Sequence, residues 1–416
     1  MNRIVLIGNG FDLAHGLPTK YEDFITWYWE KRVESFYGNC TPTSKDCLCS
    51  IKMTPKNYYQ CWNVFAYNLP TFNRPSAKEI INQIINDSNF CDFTSSPFFN
   101  RIYASIETKG WVDIEKEYYD VLQEANLNPK SNNCSIKELN NQLSYLQKLL
   151  SEYLLIVTSN DVKCNDKIRH QIYSQTCKDD ISISQLHIFY NYVNYLIQHA
   201  DNKYQELLCR YGIDGANRHF YTEDIKRLKV QLTEMPEMPG AYLNKDLVFP
   251  ENIMLLNFNY TSVADMYGLP KVATINHIHG KLNNISSMIF GYGDELDEDY
   301  KKLLKQTDNE CLSNIKSIRY LESDNYRKLL RFIESAPYQI YVMGHSCGMS
   351  DRTLLNTLFE HKNCVSIKPY YYQKDDGSDN YLEIVQNICR NFTDMKLMRD
   401  RVVNKTFCEP LAQTSK

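Results

Sequence analysis

Four short stretches of this chain carry residue types that can do chemistry. The first is Gly8-Asn9-Gly10-Phe11-Asp12, followed by His15, Gly16, Pro18 and Thr19. Glycines directly after a strand let backbone approach a ligand with no Cβ between them, and outward N–H groups of such a turn can cradle a phosphate. On that reading a valine at Gly10 would fill the space a pyrophosphate needs and leave the fold largely intact. The dinucleotide fingerprint G-x-G-x-x-G is excluded, because Leu13 stands where its third glycine belongs. The second stretch is Asn257-Phe-Asn259-Tyr-Thr261, the third His277-Ile-His279-Gly280, and the fourth Gly344-His345-Ser346 with Asp351 beyond it. His277 and His279 alternate, so on a strand they would share a face, the spacing of a metal pair. No third ligand accompanies them, and no metal is expected. His15 and His345 flank glycine turns, where an imidazole either contacts phosphate or only supports the turn.

Each stretch follows an apolar run that can position it. Ile4–Ile7, Ile253–Leu256, Val272–Ile275 and Gln339–Met343 read as buried strands of a parallel sheet, which are continuously apolar rather than alternating. Met288–Phe290, ending in Gly291-Tyr-Gly293, and Cys364–Tyr371 read as two more. In doubly wound sheets the ligand crevice lies at the carboxyl ends of the strands, where these polar motifs sit. The pattern predicts an α/β fold with a Rossmann-like parallel sheet core, discontinuous in sequence. Residues 1–29 and 247–416 would form that core, with Ile4–Ile7 central.

Residues 30–246 then form a large, mainly helical insertion that would rise from one edge of the core and cover its mouth. Thr19 to Glu22 matches a capping box, opening a helix with Phe24, Ile25 and Tyr28 on its apolar face. Trp27 and Trp29 read as core. Residues 34–110 look irregular, with a short helical pattern at Ala77–Ile85. A helix begins near Trp111–Glu115 and buries Ile114, Tyr118, Val121, Leu122 and Ala125, while Asp113, Glu117 and Asp120 form a solvated acidic face. Further helices are expected at 136–157, 182–211 and 222–234, and near 262–267, after Asp351 and at 381–390. His187 and His199 have no neighbouring second ligand.

Composition narrows the partners. The net charge of −4 and a pI near 6.2 give no electrostatic reason to expect nucleic acid, and weigh against a nuclease. No apolar run approaches the ~20 residues that span a bilayer. Met1-Asn-Arg-Ile opens a strand rather than a signal peptide, so the 14 cysteines are expected as free thiols in a cytoplasmic protein. Cys47-Leu-Cys49 is too closely spaced for the usual zinc pair, and no C-x-x-C occurs.

The first stretch resembles the NAD-binding loop of sirtuins, G-A-G-I-S-x-x-x-G-I-P-D-F-R: Gly8, Gly10, Phe11, Gly16, Leu17 and Pro18 fall in register. Asp12 stands where sirtuins have Ser, and Thr19-Lys20-Tyr21 where they have Asp-Phe-Arg. The wording Gly-Asn-Gly-Phe-Asp-Leu-Ala-His-Gly-Leu-Pro-Thr is closer to the AbiH family of phage abortive-infection proteins, read here as divergent relatives of sirtuin-like NAD-consuming domains. Trp111 with Asp113 and Glu115 also resembles the AbiH pattern, which keeps those acids as secondary candidates. Asn257-Phe-Asn259 resembles the sirtuin T-Q-N-I-D segment and the T-T-N-Y-D of sirtuin-like defence proteins, with Thr261 in place of their Asp. His277-Ile-His279-Gly280 resembles their H-x-H-G, and Gly344-His-Ser346 their G-x-S.

The resemblance implies a sirtuin-type core that binds and hydrolyses NAD, depleting it during abortive infection. Asn259 and His279 would be catalytic. Gly8, Asn9, Gly10, Phe11, Asp12, His15, Pro18, Thr19, Gly280, Gly344, His345, Ser346 and Asp351 would bind the nucleotide. The nicotinamide–ribose bond breaks through an oxocarbenium-like state, which calls for a bent, held dinucleotide and stabilised charge. An amide such as Asn259 can hold ribose hydroxyls and orient water. An imidazole, titrating near ~6.5 when free, can take a proton from a hydroxyl. Asp12 could place negative charge near the ribosyl cation. The alternative is a nucleotide-binding sensor or scaffold that recognises a phage component without cleaving NAD. ADP-ribosyl transfer and deacylation rank lower, the latter because the zinc ribbon of sirtuin deacylases is missing. Expected partners are NAD or a related nucleotide, a phage-derived trigger or partner protein docking on the insertion, and a second copy of the chain.

Overall fold

The computed structural model describes residues 1–38, 42–53, 91–109, 113–127, 135–159, 162–198 and 249–414. The helical patterns at 77–85 and 222–234, and Trp111 and His199, lie outside those residues. Eight strands occur along the described chain: β1 (Asn2–Ile7), β2 (Thr43–Lys45), β3 (Cys49–Met53), β4 (Cys91–Ser95), β5 (Ile253–Asn257), β6 (Ala273–His277), β7 (Tyr338–Met343) and β8 (Cys364–Tyr370). They divide between two compact units.

The first unit comprises Met1–Leu17, Asn160–Met288 and Ser317–Lys416. Its sheet has the order β6-β5-β1-β7-β8, and every pairing is parallel. Along the chain that is 3-2-1-4-5, the doubly wound order, with β1 central and buried along its whole length. The direction of winding reverses between β1 and β7. On one face Val5, Ile7, Ile253, Leu255, Tyr341, Met343 and Tyr370 share a core with Phe11, Ala14 and Ile168. Helices Arg352–Glu360, Tyr381–Arg390 and Met395–Arg401 pack on β8, and Asn325–Ser335 on β6.

The second unit comprises Pro18–Ser159 and Ile289–Lys316. It is built from helices Tyr21–Gly38, Pro97–Lys109, Ile114–Leu127 and Ile136–Val157 and an antiparallel sheet β2-β3-β4. That small sheet falls where the sequence reads as irregular. Ser135 caps the last of these helices in a reciprocal box with Glu138. Phe24, Tyr28 and Trp29 are buried as expected. At the start of the first helix Lys20 N–H donates to Asp23 at 3.2 Å.

These units meet the chain at other points than 29/30 and 246/247, for a physical reason. Helix Asp166–Ile172 buries Ile168 and Ile172 in the sheet's core, and the Arg3 guanidinium on β1 ties that segment down. Arg3 donates to Ile172 O (2.9 Å) and Ser174 O, reaches Gln339 Oε1 (3.3 Å) and lies 4.0 Å over the Tyr341 ring. The expected strand Met288–Phe290 is not one. It is buried without adopting a strand, and Tyr292 beyond it makes an isolated bridge to Ile315. Among the described residues, ten cysteines are present as thiols rather than in disulfides.

Arg3 donates to the carbonyls of Ile172 and Ser174 from inside the core. Arg3→Met keeps the bulk and strips those donors, so stability should fall by roughly 2–4 kcal/mol. An unchanged urea midpoint would sink this account of how residues 166–174 are held to the sheet.

Candidate functional site

The loops after β1 and β7 meet at the winding reversal. Gly8 N–H donates to Met343 O (3.4 Å), Gly10 N–H to Gly344 O (2.8 Å) and Phe11 N–H back to Gly8 O (2.8 Å). A Cβ on Gly8 would stand 2.5 Å from the His345 Cα, and one on Gly10 2.8 Å from the Gly344 Cα. Gly344 itself turns in the left-handed region at φ +76 against the Phe11 nitrogen. Two expectations are corrected here. These glycines make room for each other's backbone, and three of the turn's N–H groups bond protein carbonyls instead of facing an anion. A side chain at Gly10 therefore meets backbone first and would not leave the fold intact.

Around this contact the ends of β5 and β6 supply a polar network. Asn257, fully buried, accepts from Asn259 N–H (3.0 Å) through Oδ1, which orients its amide nitrogen toward Thr261 O (3.1 Å) and His277 Nδ1 (3.3 Å). His277 Nδ1 is thus an acceptor, and its Nε2–H donates to Asp265 (2.7 Å), which also receives Lys281 (3.0 Å). Desolvation raises the Asp265 carboxyl, but these two hydrogen bonds outweigh it and hold it below its ordinary value. His277 is a supporting residue. Asn259 donates to Gly8 O at 3.0 Å, joining the β5 end to the glycine turn.

Asp12 lies in the same place, 1% exposed. Its Oδ2 accepts from the Thr261 hydroxyl (2.6 Å), so a carboxyl stands beside Thr261 although the strand itself supplies none. Its Oδ1 is buried with no hydrogen-bond partner among the described residues. Burial lifts this carboxyl to about 7, with the Thr261 hydroxyl and the Asn259 amide pulling it back.

The second cluster joins the β6 and β7 loops. His279 Nε2 lies 3.1 Å from Asp351 Oδ1 and 3.2 Å from the Tyr320 hydroxyl, and its ring stacks parallel to that of Tyr320. His345 Nδ1 accepts from Cys347 N–H (3.0 Å), which leaves the neutral ring's proton on Nε2, 3.7 Å from Asp351 Oδ2. One carboxylate thus faces two imidazoles. Phe258 packs between them, 5.2 Å from the His279 ring and 4.1 Å from that of His345. Asp351 is therefore a partner of His279. Burial pushes the Cys347 thiol well up, which makes it a poor nucleophile.

Other sequence candidates fall elsewhere. Phe11 is in the apolar core against Tyr267 and His15. Both nitrogens of His15 are engaged, by Phe11 O (2.7 Å) and Tyr267 OH (2.6 Å), and burial lowers its pKa. Both side chains are thus engaged within the protein. Gly280 lies against the Ser287 carbonyl. Asn9 and Ser346 are the exposed positions of the two loops. Pro18 and Thr19 belong to the second unit, where Pro18 O accepts from Tyr153 OH (2.6 Å).

The acids kept as secondary candidates have local roles: Glu115 pairs with buried Lys316 (2.8 Å) and accepts from Gly291 N–H (3.1 Å), and Asp113 accepts from Lys116 N–H (3.0 Å). Glu117, expected on a solvated face, is instead buried and accepts from Ser105 (2.6 Å). Sequence reasoning missed Asn257, Asp265 and Tyr320. Asn257 alone had a signal, as the first residue of Asn-Phe-Asn.

A family model described as "Bacteriophage abortive infection AbiH" matches residues 4–372. No curated protein and no solved structure matches the chain. Among the described residues no helix is long and apolar enough to cross a membrane.

Two outcomes follow from the geometry. Gly10→Val should lower Tm by several degrees or prevent folding, because backbone rather than a flexible side chain stands in the way; a wild-type Tm would refute the close loop contact. For Asp12, the native state keeps a proton that the unfolded chain, with an ordinary value of 3.8, has released over the interval up to about 7. The stabilisation is full below about pH 4, falls as pH rises, and is lost above about pH 7. Asp12→Asn should remove that slope, so the stability difference between about pH 5 and about pH 8 should narrow in urea titrations. An equally steep variant would place the titration elsewhere.

Proposed function

This chain belongs to the AbiH family of bacteriophage abortive-infection proteins, and we propose that it acts in antiviral defence as a hydrolase of NAD. The observation that supports the chemistry best is the meeting of His279, Asp351 and His345 beyond the carboxyl ends of the parallel strands, with Asn259 bonded to the glycine turn where the winding reverses. That is the position at which doubly wound folds bind nucleotides. The four motifs resemble those of sirtuin-like domains, and a distant relationship to them is part of the proposal.

In the proposed reaction a nucleotide lies over the β1–β7 crevice with its ribose toward Asn259 and His279. With His279 Nε2–H held by Asp351, Nδ1 is the basic nitrogen of the neutral ring and takes the proton of a ribose hydroxyl. Positive charge on that imidazole is balanced by Asp351 at 3.1 Å. Asn259, fixed by its bond to Gly8 O, presents its amide oxygen to the sugar. The C1′–N bond breaks with its electron pair going to the nicotinamide nitrogen, and water adds at C1′.

A second reading, a nucleotide-binding sensor without cleavage, draws support from one observation. The N–H groups of Gly8, Gly10 and Phe11 are engaged within the protein, so the turn offers fewer donors to a pyrophosphate than its sequence suggests.

Released nicotinamide separates the two. His279→Ala should lower turnover by about 10²–10⁴-fold while calorimetry still registers NAD, and Asn259→Ala should lose turnover comparably. A wild-type protein that binds NAD but releases no nicotinamide under any activating condition supports the sensor. Equal turnover in His279→Ala would keep the enzyme and discard the assignment.

A further inference from the structure

Asp12 is the one buried carboxyl of this region with an oxygen left unpartnered, and the proposed reaction leaves it unused. Its Oδ2 is fixed by the Thr261 hydroxyl at 2.6 Å, and its Oδ1 has no hydrogen-bond partner among the described residues. A desolvated carboxyl oxygen without a donor is costly, and such groups persist where a ligand or water completes them. The groups acting on Asp12 are a hydroxyl and an amide, neither of them charged. By contrast Asp351 faces two imidazoles. Asn259 links Asp12's surroundings to the glycine turn through Gly8 O, at 3.0 Å.

We propose that Asp12 is a further catalytic residue, the general base that deprotonates the attacking water, with Thr261 aligning its carboxyl. This rests on the NAD-hydrolysing reading above. The balance is simple. Water's oxygen bonds to C1′, its proton passes to Asp12 Oδ1, the C1′–N bond breaks and its electron pair returns to the pyridinium ring, which leaves as neutral nicotinamide. The proton taken from the ribose hydroxyl by His279 goes back to that hydroxyl, so one proton is released per turnover. A carboxyl that burial lifts to about 7 is matched to this task, because a base works best with a pKa near the operating pH.

Azide provides the test, since an anionic nucleophile needs no base. Asp12→Asn should still bind NAD by calorimetry and hydrolyse it about 10²–10⁴-fold more slowly. Sodium azide should restore nicotinamide release in that variant and yield azido-ADP-ribose by mass spectrometry, with little effect on wild type. Wild-type turnover in Asp12→Asn overturns the assignment, as does a variant that binds NAD, hydrolyses slowly and ignores azide. Should Asp12→Asn fail to fold, Thr261→Val takes its place. The hydroxyl lowers the Asp12 pKa, so its loss should move the acid limb of the kcat profile to higher pH, and Thr261→Ser should restore it. An unmoved limb overturns the assignment. Absence of any nicotinamide release from wild type is a different result: the hydrolase reading fails there, and this inference fails with it.

Discussion

The arrangement depends on how closely two backbone turns approach at the middle of the sheet. β1 and β7 are neighbours at the point where the winding reverses, and their following loops meet there backbone to backbone. They do so because Gly8, Gly10 and Gly344 have no side chains where the backbones cross. The left-handed turn at Gly344 directs His345 onto Phe258, and the Gly8 carbonyl that faces the turn is taken by Asn259. Loosening this contact would therefore displace groups on three strands at once, because interiors packed at crystal-like density transmit small shifts.

From that contact the polar groups are reached by bridging. His279 leaves the end of β6 and Asp351 follows β7, so their 3.1 Å contact crosses over the ends of β5 and β1. Its supports are specific. Cys347 adopts φ +53, uncommon for a residue with a side chain, and is held there by the His345 ring and by Asn391, which donates to its carbonyl at 2.8 Å. Such conformations survive where surrounding bonds over-determine them.

Much of the sheet was legible in the sequence because buried parallel strands announce themselves as apolar runs ending in polar turns. Ile4–Ile7, Ile253–Leu256 and Gln339–Met343 are strands in the structure, and helices 136–157 and 381–390 have the expected limits. Met288–Phe290 carries the same signal without being a strand, since a short apolar run reports burial and not pairing. The glycine turn was misread for a related reason. Absence of a Cβ signals close approach but does not say whether ligand or protein does the approaching. Spacing likewise could not tell on which side of the turn His15 and Phe11 face: Phe11 turns into the apolar core, and His15 packs on Phe11 and Tyr267. Tyr320 lies 41 residues from His279, and no local pattern carries a contact of that range.

The two acids of the site show how environment divides labour between identical side chains. Asp351 has an imidazole on each oxygen, so positive charge arising on either ring finds its counter-charge in place. Asp12 has only a neutral hydroxyl and a neutral amide near it, and ionising it brings no such return. The first arrangement gives charge on an imidazole a carboxylate within 3.1 Å to balance it. The second favours a carboxyl poised between its two states near neutral pH. Environments that set carboxyl groups apart in this way are how one fold holds an acid–base function and an electrostatic one side by side. Exchanging the two would need only different neighbours: a cation beside Asp12 would favour its anion. The division therefore resides in Thr261, Asn259, His279 and His345 as much as in the acids themselves.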